Sequence, residues 1–191
     1  MSGTTSQTTP SGTTTASNEL MEKLCARALL RGEFVLRSGK TSTYYFDKYR
    51  VTTEPELLRD VGAGLASLMR VHAPDAELIV APELGAVPLA TALSLASGLP
   101  FCIVRGEAKD YGTANRLEGM FEPGQHAVLV EDVVTSGGAA VEALAAAREV
   151  GLVIERSLCM LDRGQGGAEA LAEAGAPVAS LFGADDLAPH L

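Results

Sequence analysis

The chain has 191 residues, of which 47% are hydrophobic and 20% are charged, a balance typical of one globular domain and not of a disordered chain. Its formal net charge is −9, so it lacks the broad positive surface with which nonspecific nucleic-acid binders neutralise phosphates. We therefore expect no nucleic-acid partner, and an anionic ligand would have to meet a local cluster of basic residues.

Cysteine and histidine are too scattered to indicate a disulfide framework or a metal centre. Cys25, Cys102 and Cys159 are widely spaced and include no C-x-x-C pair. The three histidines are equally far apart, so the sequence suggests no metal cage built by the protein alone. A reducing cytoplasm is the expected location.

The N-terminal segment and one uncharged run decide what is expected about export and membranes. Residues 1–18 carry no charge and are mostly Ser and Thr, so they predict a disordered tail before a single domain over residues 19–191. The run from Leu84 to Val104 is long enough to cross a bilayer, but Pro88, Gly98 and Pro100 interrupt it. We expect a buried helix and a short strand there, and no membrane partner.

The first predicted elements form a small cap. Apolar residues recur with a helical period from Glu19 to Leu30, with Asn18 as the candidate N-cap. Two short strands, Phe34 to Leu36 and Thr43 to Phe46, are predicted around the turn at residues 38–40. This pattern is typical of a hairpin that covers a core and not of a core layer.

The core is predicted over about residues 55–191. It follows the small cap, which is formed mainly by residues 19–54 and is called the hood below. Pro55 opens a helix that continues to about Val71. The later predicted elements are the strand 78–81, a helix from Ala86, the strands 101–104 and 127–131, a helix from Gly138, the strand 153–161, a helix from Gly167 and the strand 178–182. This alternation predicts an α/β fold with a mostly parallel sheet flanked by helices.

A polar loop interrupts the alternation between Arg105 and Pro123. It has mixed charge and several glycines. Long loops in compact domains are usually functional lids or disordered insertions.

The most informative motif is the run Val-Leu-Val-Glu-Asp-Val-Val-Thr-Ser-Gly-Gly at residues 128–138. An apolar strand carries Glu131 and Asp132 to its carboxyl end, where parallel sheets bind ligands. The Thr135–Gly138 turn then opens a helix, whose free backbone N–H groups can surround a phosphate. The two acids would repel a bare phosphate, so they indicate sugar hydroxyls or the waters of a bound Mg²⁺ as partners.

This motif resembles the phosphoribosyl-diphosphate (PRPP) signature of the type I phosphoribosyltransferases, and the resemblance covers about Glu19 to Leu187. Within them the chain is similar to the orotate phosphoribosyltransferases on three further pieces. Residues 34–46 are similar to the N-terminal hood motif of these enzymes, and residues 105–112 resemble their mobile catalytic loop. Residues 161–163 match the strand end that binds orotate. The resemblance therefore implies a type I phosphoribosyltransferase fold with a small N-terminal hood.

The chain departs from the pattern of well-known members where they bind pyrophosphate. Gly106 stands where they have Lys, Tyr111 stands where they often have His, and Gly85 stands where many have Lys. The cationic pyrophosphate contacts that the resemblance implies are thus reduced to Arg105 and Lys109, and the effect of these departures on affinity or rate is left open.

Two further departures concern the hood and the phosphate turn. Arg37 replaces a common Lys, which keeps the charge and offers a planar fork of donors suited to a carboxylate or phosphate. Gly138 replaces Thr, which removes a hydroxyl donor but leaves the backbone donors.

The resemblance implies a Mg²⁺-dependent pentosyltransferase that converts orotate and PRPP to orotidine 5′-monophosphate (OMP) and pyrophosphate in de novo pyrimidine (UMP) synthesis. The implied catalytic residues are Lys109, Asp132 and Glu131. The implied PRPP-binding residues are Arg105, Lys109, Tyr111, Glu131, Asp132, Val133, Val134, Thr135, Ser136, Gly137 and Gly138. The implied orotate-binding residues are Arg37, Tyr45, Phe46, Thr135 and Arg163.

The resemblance also implies how metal and partner subunit take part. Mg²⁺ would be held through PRPP and waters near Glu131 and Asp132, with no direct protein ligand, and a homodimer would share the loop at residues 105–120 across its interface. For Lys48 and Arg50, a phosphate-binding role and a solvated basic edge are equally open.

Two other functions remain as alternatives. A purine phosphoribosyltransferase would use the same phosphate turn and acids, but it would not need Arg37 or Arg163. A regulator that keeps the fold and binds PRPP without catalysis would usually need a nucleic-acid surface, which the charge of −9 does not provide.

Overall fold

The structure is a computed structural model that describes four stretches of the chain, residues 15–35, 39, 41–106 and 116–191. Three residues that the resemblance places in the site lie outside these stretches: Arg37, Lys109 and Tyr111.

The hood consists of two helices and a hairpin: α1 (Thr15–Ala28), β1 (Leu29–Val35), β2 (Thr41–Phe46) and α2 (Tyr49–Thr52). β1 and β2 pair in antiparallel fashion, with Leu29 opposite Phe46 and Leu30 opposite Tyr45. The predicted boundaries were wrong here. Leu29 and Leu30 extend the helical period in sequence, but pairing with β2 makes them strand. α1 begins within the predicted tail, because neither proline nor glycine separates Thr15 from the apolar positions that follow.

The core contains the predicted alternation of strands and helices. Its elements are α3 (Pro55–His72), β3 (Leu78–Pro82), α4 (Ala86–Ser97), β4 (Phe101–Val104), β5 (Leu117–Glu118), β6 (His126–Val134), α5 (Gly138–Glu149), β7 (Val153–Asp162), α6 (Gly167–Glu173), β8 (Val178–Phe182), α7 (Ala184–Leu187) and a 3₁₀ turn (Ala188–His190). The predicted α/β class is confirmed. The two-residue strand β5, inside the loop predicted to be irregular, was not expected.

The order of the strands determines where a ligand can bind. The six-stranded sheet has the order β5-β4-β3-β6-β7-β8, and every neighbouring pair is parallel except β4 with β5. From β3 the chain continues to one side of the sheet, and from β6 it continues to the other. A crevice therefore opens between the carboxyl ends of β3 and β6, the position at which open α/β sheets bind ligands.

Alternating side chains of the strands divide the core into two layers. In β3, Ile79 and Ala81 face a layer that contains α1, α3 and α4. Leu78 and Val80 face a layer that contains α5 and α6. All four residues are fully buried, so the carboxyl end of β3 is held firmly in place.

The uncharged run between Leu84 and Val104 is divided as the sequence predicts. α4 ends before Gly98, which adopts a left-handed backbone with φ of 79°, and β4 begins at Phe101. Within the described stretches, no helix is both long and apolar enough to cross a membrane.

Two glycines of α3 provide a matched test of the packing between α3 and α4. A Cβ on Gly62 would lie 2.7 Å from the Cβ of Ala92, whereas a Cβ on Gly64 would meet the flexible end of Leu181 at 3.0 Å. Both substitutions to alanine gain the same helix propensity, so we expect Gly62→Ala to be about 1–3 kcal/mol less stable than Gly64→Ala. Denaturant unfolding of the two variants measures the difference. Equal stabilities would contradict the close approach of α3 and α4.

Candidate active site

A pocket of about 880 Å³ lies at the carboxyl edge of the sheet. It is lined by the residues after β3, by the end of β6, by the phosphate turn, by Arg163 after β7 and by the β2–α2 segment of the hood. Most of the described residues that the resemblance assigns to the site therefore line one cavity.

The two acids lie at the floor of this pocket. Asp132 is only 2% exposed, and its Oδ2 lies 2.5 Å from Nζ of Lys48. Its Oδ1 accepts a hydrogen bond of 2.6 Å from the backbone N–H of Val133, while Oε1 of Glu131 accepts one of 3.0 Å from the N–H of Asp132. These contacts hold both carboxylates at the strand end.

Burial and charge change the acidity of this cluster. Burial and the Asp132 carboxylate raise the pKa of Glu131, so Glu131 keeps its proton to a higher pH than an exposed glutamate. Burial acts to lower the pKa of Lys48, but the carboxylates of Asp132 and Glu131 together raise this pKa by more. Lys48 is therefore a stable cation in the pocket.

The phosphate turn has the conformation that a helix N-terminus needs to bind an anion. Gly137, the N-cap of α5, has a left-handed backbone with φ of 78°. A Cβ on Gly137 would lie 3.0 Å from the backbone of Gly167, so the start of α6 supports the turn from behind. Gly138 faces open space, and a second cavity of about 460 Å³ follows the residues of the turn. The first N–H groups of a helix have no acceptor within the helix and are free for a ligand.

Arg163 lies on the other side of the pocket and is oriented by the hood. Its backbone N–H donates to the carbonyl of Val134 over 3.0 Å, which ties the end of β7 to the end of β6. Its guanidinium donates to the hydroxyl of Tyr44 over 2.6 Å and lies 4.9 Å from the centre of that ring. An arginine held in this way presents an oriented cation to an anionic ligand.

The aromatic residues of β2 have different surroundings. Tyr45 and Phe46, which the resemblance assigns to orotate, both line the pocket. Tyr45 is 41% exposed and contacts Phe34, whereas Phe46 is buried in the core. Sequence reasoning missed Tyr44. The period of two along a strand places Tyr44 on the same face as Phe46 and could have indicated it.

The two undecided basic residues of the hood are separated by the structure. Lys48 lines the pocket, whereas Arg50 is exposed and pairs with Asp47 at 3.4 Å. Only the three-dimensional arrangement distinguishes these residues, because both follow the same strand at similar spacing.

Arg105 lies at the base of the predicted mobile loop. Its backbone N–H donates to the carbonyl of Arg116 over 2.8 Å, which joins the two described ends of the loop. Its guanidinium lies 3.7 Å from a carboxylate oxygen of Glu83, and the other oxygen of Glu83 accepts from the N–H of Gly106 over 2.8 Å. Arg116 pairs with Glu142 at 2.9 Å, so the loop base is also tied to α5.

The acids of the pocket fit the Mg²⁺ that the resemblance implies. In the described part of the chain, no group of three or more His, Cys, Asp or Glu residues could hold a metal ion. Two carboxylates do stand at the pocket floor, and Mg²⁺ is commonly bound through one or two carboxylates together with substrate phosphates and waters. The donors present suit an ion that arrives with a phosphate ligand.

Comparison with curated proteins relates the chain to enzymes of known name. No protein-family model matches the chain. An orotate phosphoribosyltransferase of Halobacterium salinarum is 42% identical over 173 residues, which are 90% of this chain and 97% of the relative. One of Methanopyrus kandleri is 43% identical over 160 residues, which are 84% of this chain and 85% of the relative.

Comparison with solved structures gives the same result. The Mycobacterium tuberculosis orotate phosphoribosyltransferase, crystallised in complex with PRPP, matches with a TM-score of 0.77 and 30% identity. The match covers 91% of this chain and 99% of that chain. Because identities of this size extend over nearly the full length of the relatives, the resemblance seen in the motifs is confirmed, and the chain belongs to the orotate phosphoribosyltransferase family.

Proposed function

We propose that the pocket between β3 and β6 is the active site in which this chain transfers the phosphoribosyl group of PRPP to orotate. The products are OMP and pyrophosphate, in de novo synthesis of the pyrimidine nucleotide UMP. The observation that carries this assignment is the meeting of the phosphate turn, the two acids and Arg163 around one cavity. Each of these groups suits a different part of the two substrates.

The phosphate turn and the acids suit the sugar phosphate. The backbone N–H groups of the Thr135–Gly138 turn bind the 5′-phosphate, with Val133 and Val134 bringing the turn to the pocket edge. Glu131 and Asp132 bind the ribose hydroxyls. The negative charge of Asp132 favours the positive charge that develops on the ring as pyrophosphate leaves.

The base site lies between the hood and the end of β7. Arg163 pairs with the carboxylate of orotate, because a buried anion needs a cation as its partner. Tyr45 and Phe46 flank the planar ring, and Thr135 contacts the base from the turn. Arg37, which lies outside the described residues, is proposed as a second cation for this carboxylate.

The leaving pyrophosphate needs positive charge at the open end of the pocket. Mg²⁺, held through PRPP and waters near Glu131 and Asp132, supplies charge neutralisation when bound. Arg105 at the loop base contributes a guanidinium, and Lys109 and Tyr111, beyond the described residues, are assigned to the same group by the resemblance. Closure of the loop would exclude water that could otherwise hydrolyse the sugar.

A spectrophotometric assay tests this function. The absorbance of orotate should fall when the protein is supplied with orotate, PRPP and Mg²⁺, and adenine, hypoxanthine and uracil should not replace orotate. Turnover of a purine in place of orotate would support the purine enzyme. PRPP binding without turnover of any base would support a regulator.

We further propose a cytoplasmic homodimer in which each loop at residues 105–120 completes the site of the neighbouring subunit. The family suggests this sharing, and Arg105 and Arg116, at the two described ends of the loop, are hydrogen-bonded to each other, with Arg116 also paired to Glu142 on α5. The buried, unpaired Cys25, Cys102 and Cys159 suit a reducing compartment.

Subunit exchange provides a test of the shared loop. Lys109→Ala and Asp132→Asn homodimers should each be inactive, whereas a mixed dimer would hold one doubly altered site and one intact site. After exchange of an equal mixture, we expect about a quarter of wild-type activity. The measurement is orotate turnover before and after mixing, with exchange followed by differently tagged subunits. Continued inactivity in spite of demonstrated exchange would contradict loop sharing.

A further inference from the structure

Lys48 occupies a position unusual for a lysine. Lysine side chains are mostly solvated, but that of Lys48 is only 30% exposed and reaches from the hood to the pocket floor. There its Nζ lies 2.5 Å from Oδ2 of Asp132, a residue on β6. The ion pair thus joins the hood to the acid that is expected to contact the sugar.

Gly85 makes room for this ion pair. It follows β3 directly before α4, and a Cβ added to it would overlap Oδ2 of Asp132 and stand 2.6 Å from Nζ of Lys48. The ammonium of Lys48 therefore lies over bare backbone, where any other residue would place its side chain. The lysine, the glycine and the acid come from three separate elements and fit together only as a set.

The positively charged side chains of the larger pocket lie away from the cavity at the phosphate turn. The cavity that follows the phosphate turn is lined by Glu131 and by residues 133–140, whereas Lys48 and Gly85 line only the larger pocket. Among the described residues that line the larger pocket, the cations are Lys48 and Arg163. Arg163 is already directed by Tyr44 to the base side, which leaves Lys48 to meet an anion beside β3.

We propose that Lys48 is a substrate-binding residue that holds the diphosphate of PRPP beside Gly85. When Lys48 binds the diphosphate, its ion pair with Asp132 breaks, and the Asp132 carboxylate becomes free to bind the ribose hydroxyls. The proposal rests on the proposed function and adds a binding residue to it. In the free protein the ammonium neutralises a buried carboxylate that would otherwise be costly. In the complex, diphosphate oxygens accept hydrogen bonds from Lys48, and sugar hydroxyls donate to Asp132 in its place.

Binding of the two reaction products, pyrophosphate and OMP, distinguishes this role of Lys48 from a purely structural one. Pyrophosphate contains the group that Lys48 is proposed to hold, and OMP contains the sugar and its phosphate but no diphosphate. We expect Lys48→Met to weaken binding of pyrophosphate with Mg²⁺ by about tenfold or more, because a charge-assisted hydrogen bond is lost. Binding of OMP should change by less than about threefold. Isothermal calorimetry on the full chain measures both.

Lys23→Met is the matched control. Lys23 is exposed on α1, so this variant makes the same chemical change far from the pocket and should leave both affinities unaltered. Melting temperatures establish that the variants are folded. If Lys48→Met does not fold, Lys48→Gln, which can still donate to Asp132, undergoes the same measurements with the same expectations.

The possible results either support the proposal or overturn it. Selective loss of pyrophosphate supports it. Equal loss of pyrophosphate and OMP would show that Lys48 only positions Asp132, and unchanged affinities would show that it has no role in binding; both results overturn the proposal. Failure of the proposed function is a separate outcome, because the wild-type protein would then neither turn over orotate nor bind OMP.

Discussion

Asp132→Asn is expected to lower turnover by about a hundredfold or more, the effect of losing one electrostatic contact to a transition state. The change keeps the shape of the side chain and most of its hydrogen bonds, including the acceptor for the N–H of Val133. It removes the negative charge that favours the positive charge developing on the ribose ring. The loss should therefore appear in kcat for orotate and PRPP and not chiefly in KM.

Folding should survive this change. Asparagine leaves Lys48 without its anionic partner, but the lysine side chain is 30% exposed and water can reach it. Asp60→Asn is the matched control, because Asp60 on α3 pairs with its neighbour Arg59 outside the pocket. Thermal melting measures stability, and initial rates of orotate consumption measure turnover. An unchanged kcat in Asp132→Asn would show that the acid is only a structural residue of the strand end.

Arg163→Leu is expected to abolish orotate binding selectively. If the guanidinium pairs with the orotate carboxylate, leucine leaves a buried anion without its partner, a loss of several kcal/mol. PRPP makes no use of that carboxylate, so its affinity should stay within about threefold, a change below roughly 1 kcal/mol. Calorimetry with orotate and with PRPP in the presence of Mg²⁺ measures the two affinities.

The control for this experiment lies in the hood. Arg50→Leu makes the same substitution at an exposed arginine that pairs with Asp47, and both affinities should be preserved. If Arg163→Leu weakens both ligands equally, the end of β7 has been damaged generally, because leucine also removes the hydrogen bond from the guanidinium to the hydroxyl of Tyr44. A preference for a purine in the wild type and in the variant would contradict the choice of orotate.

The sequence by itself determined the class of fold and the chemistry at the end of β6. The strand Phe101–Val104, the starts of the helices at Ala86, Gly138 and Gly167, and the strand Val178–Phe182 were all predicted at their observed positions. Their signals are local, since apolar runs, glycines and proline act through backbone preferences and burial of neighbouring residues. The phosphate turn was recognisable because its strand, acids, glycines and helix are consecutive.

Tertiary structure decided which distant residues meet. β1 begins at Leu29 because it pairs with β2, and β5 exists because it pairs with β4. The contact between Tyr44 and Arg163 joins residues 119 positions apart, and no local pattern encodes it. The cluster of Lys48, Gly85 and Asp132 likewise depends on β3 and β6 being neighbours in the sheet. Such contacts depend on strand order and on the space left by a missing side chain, which a single sequence does not contain.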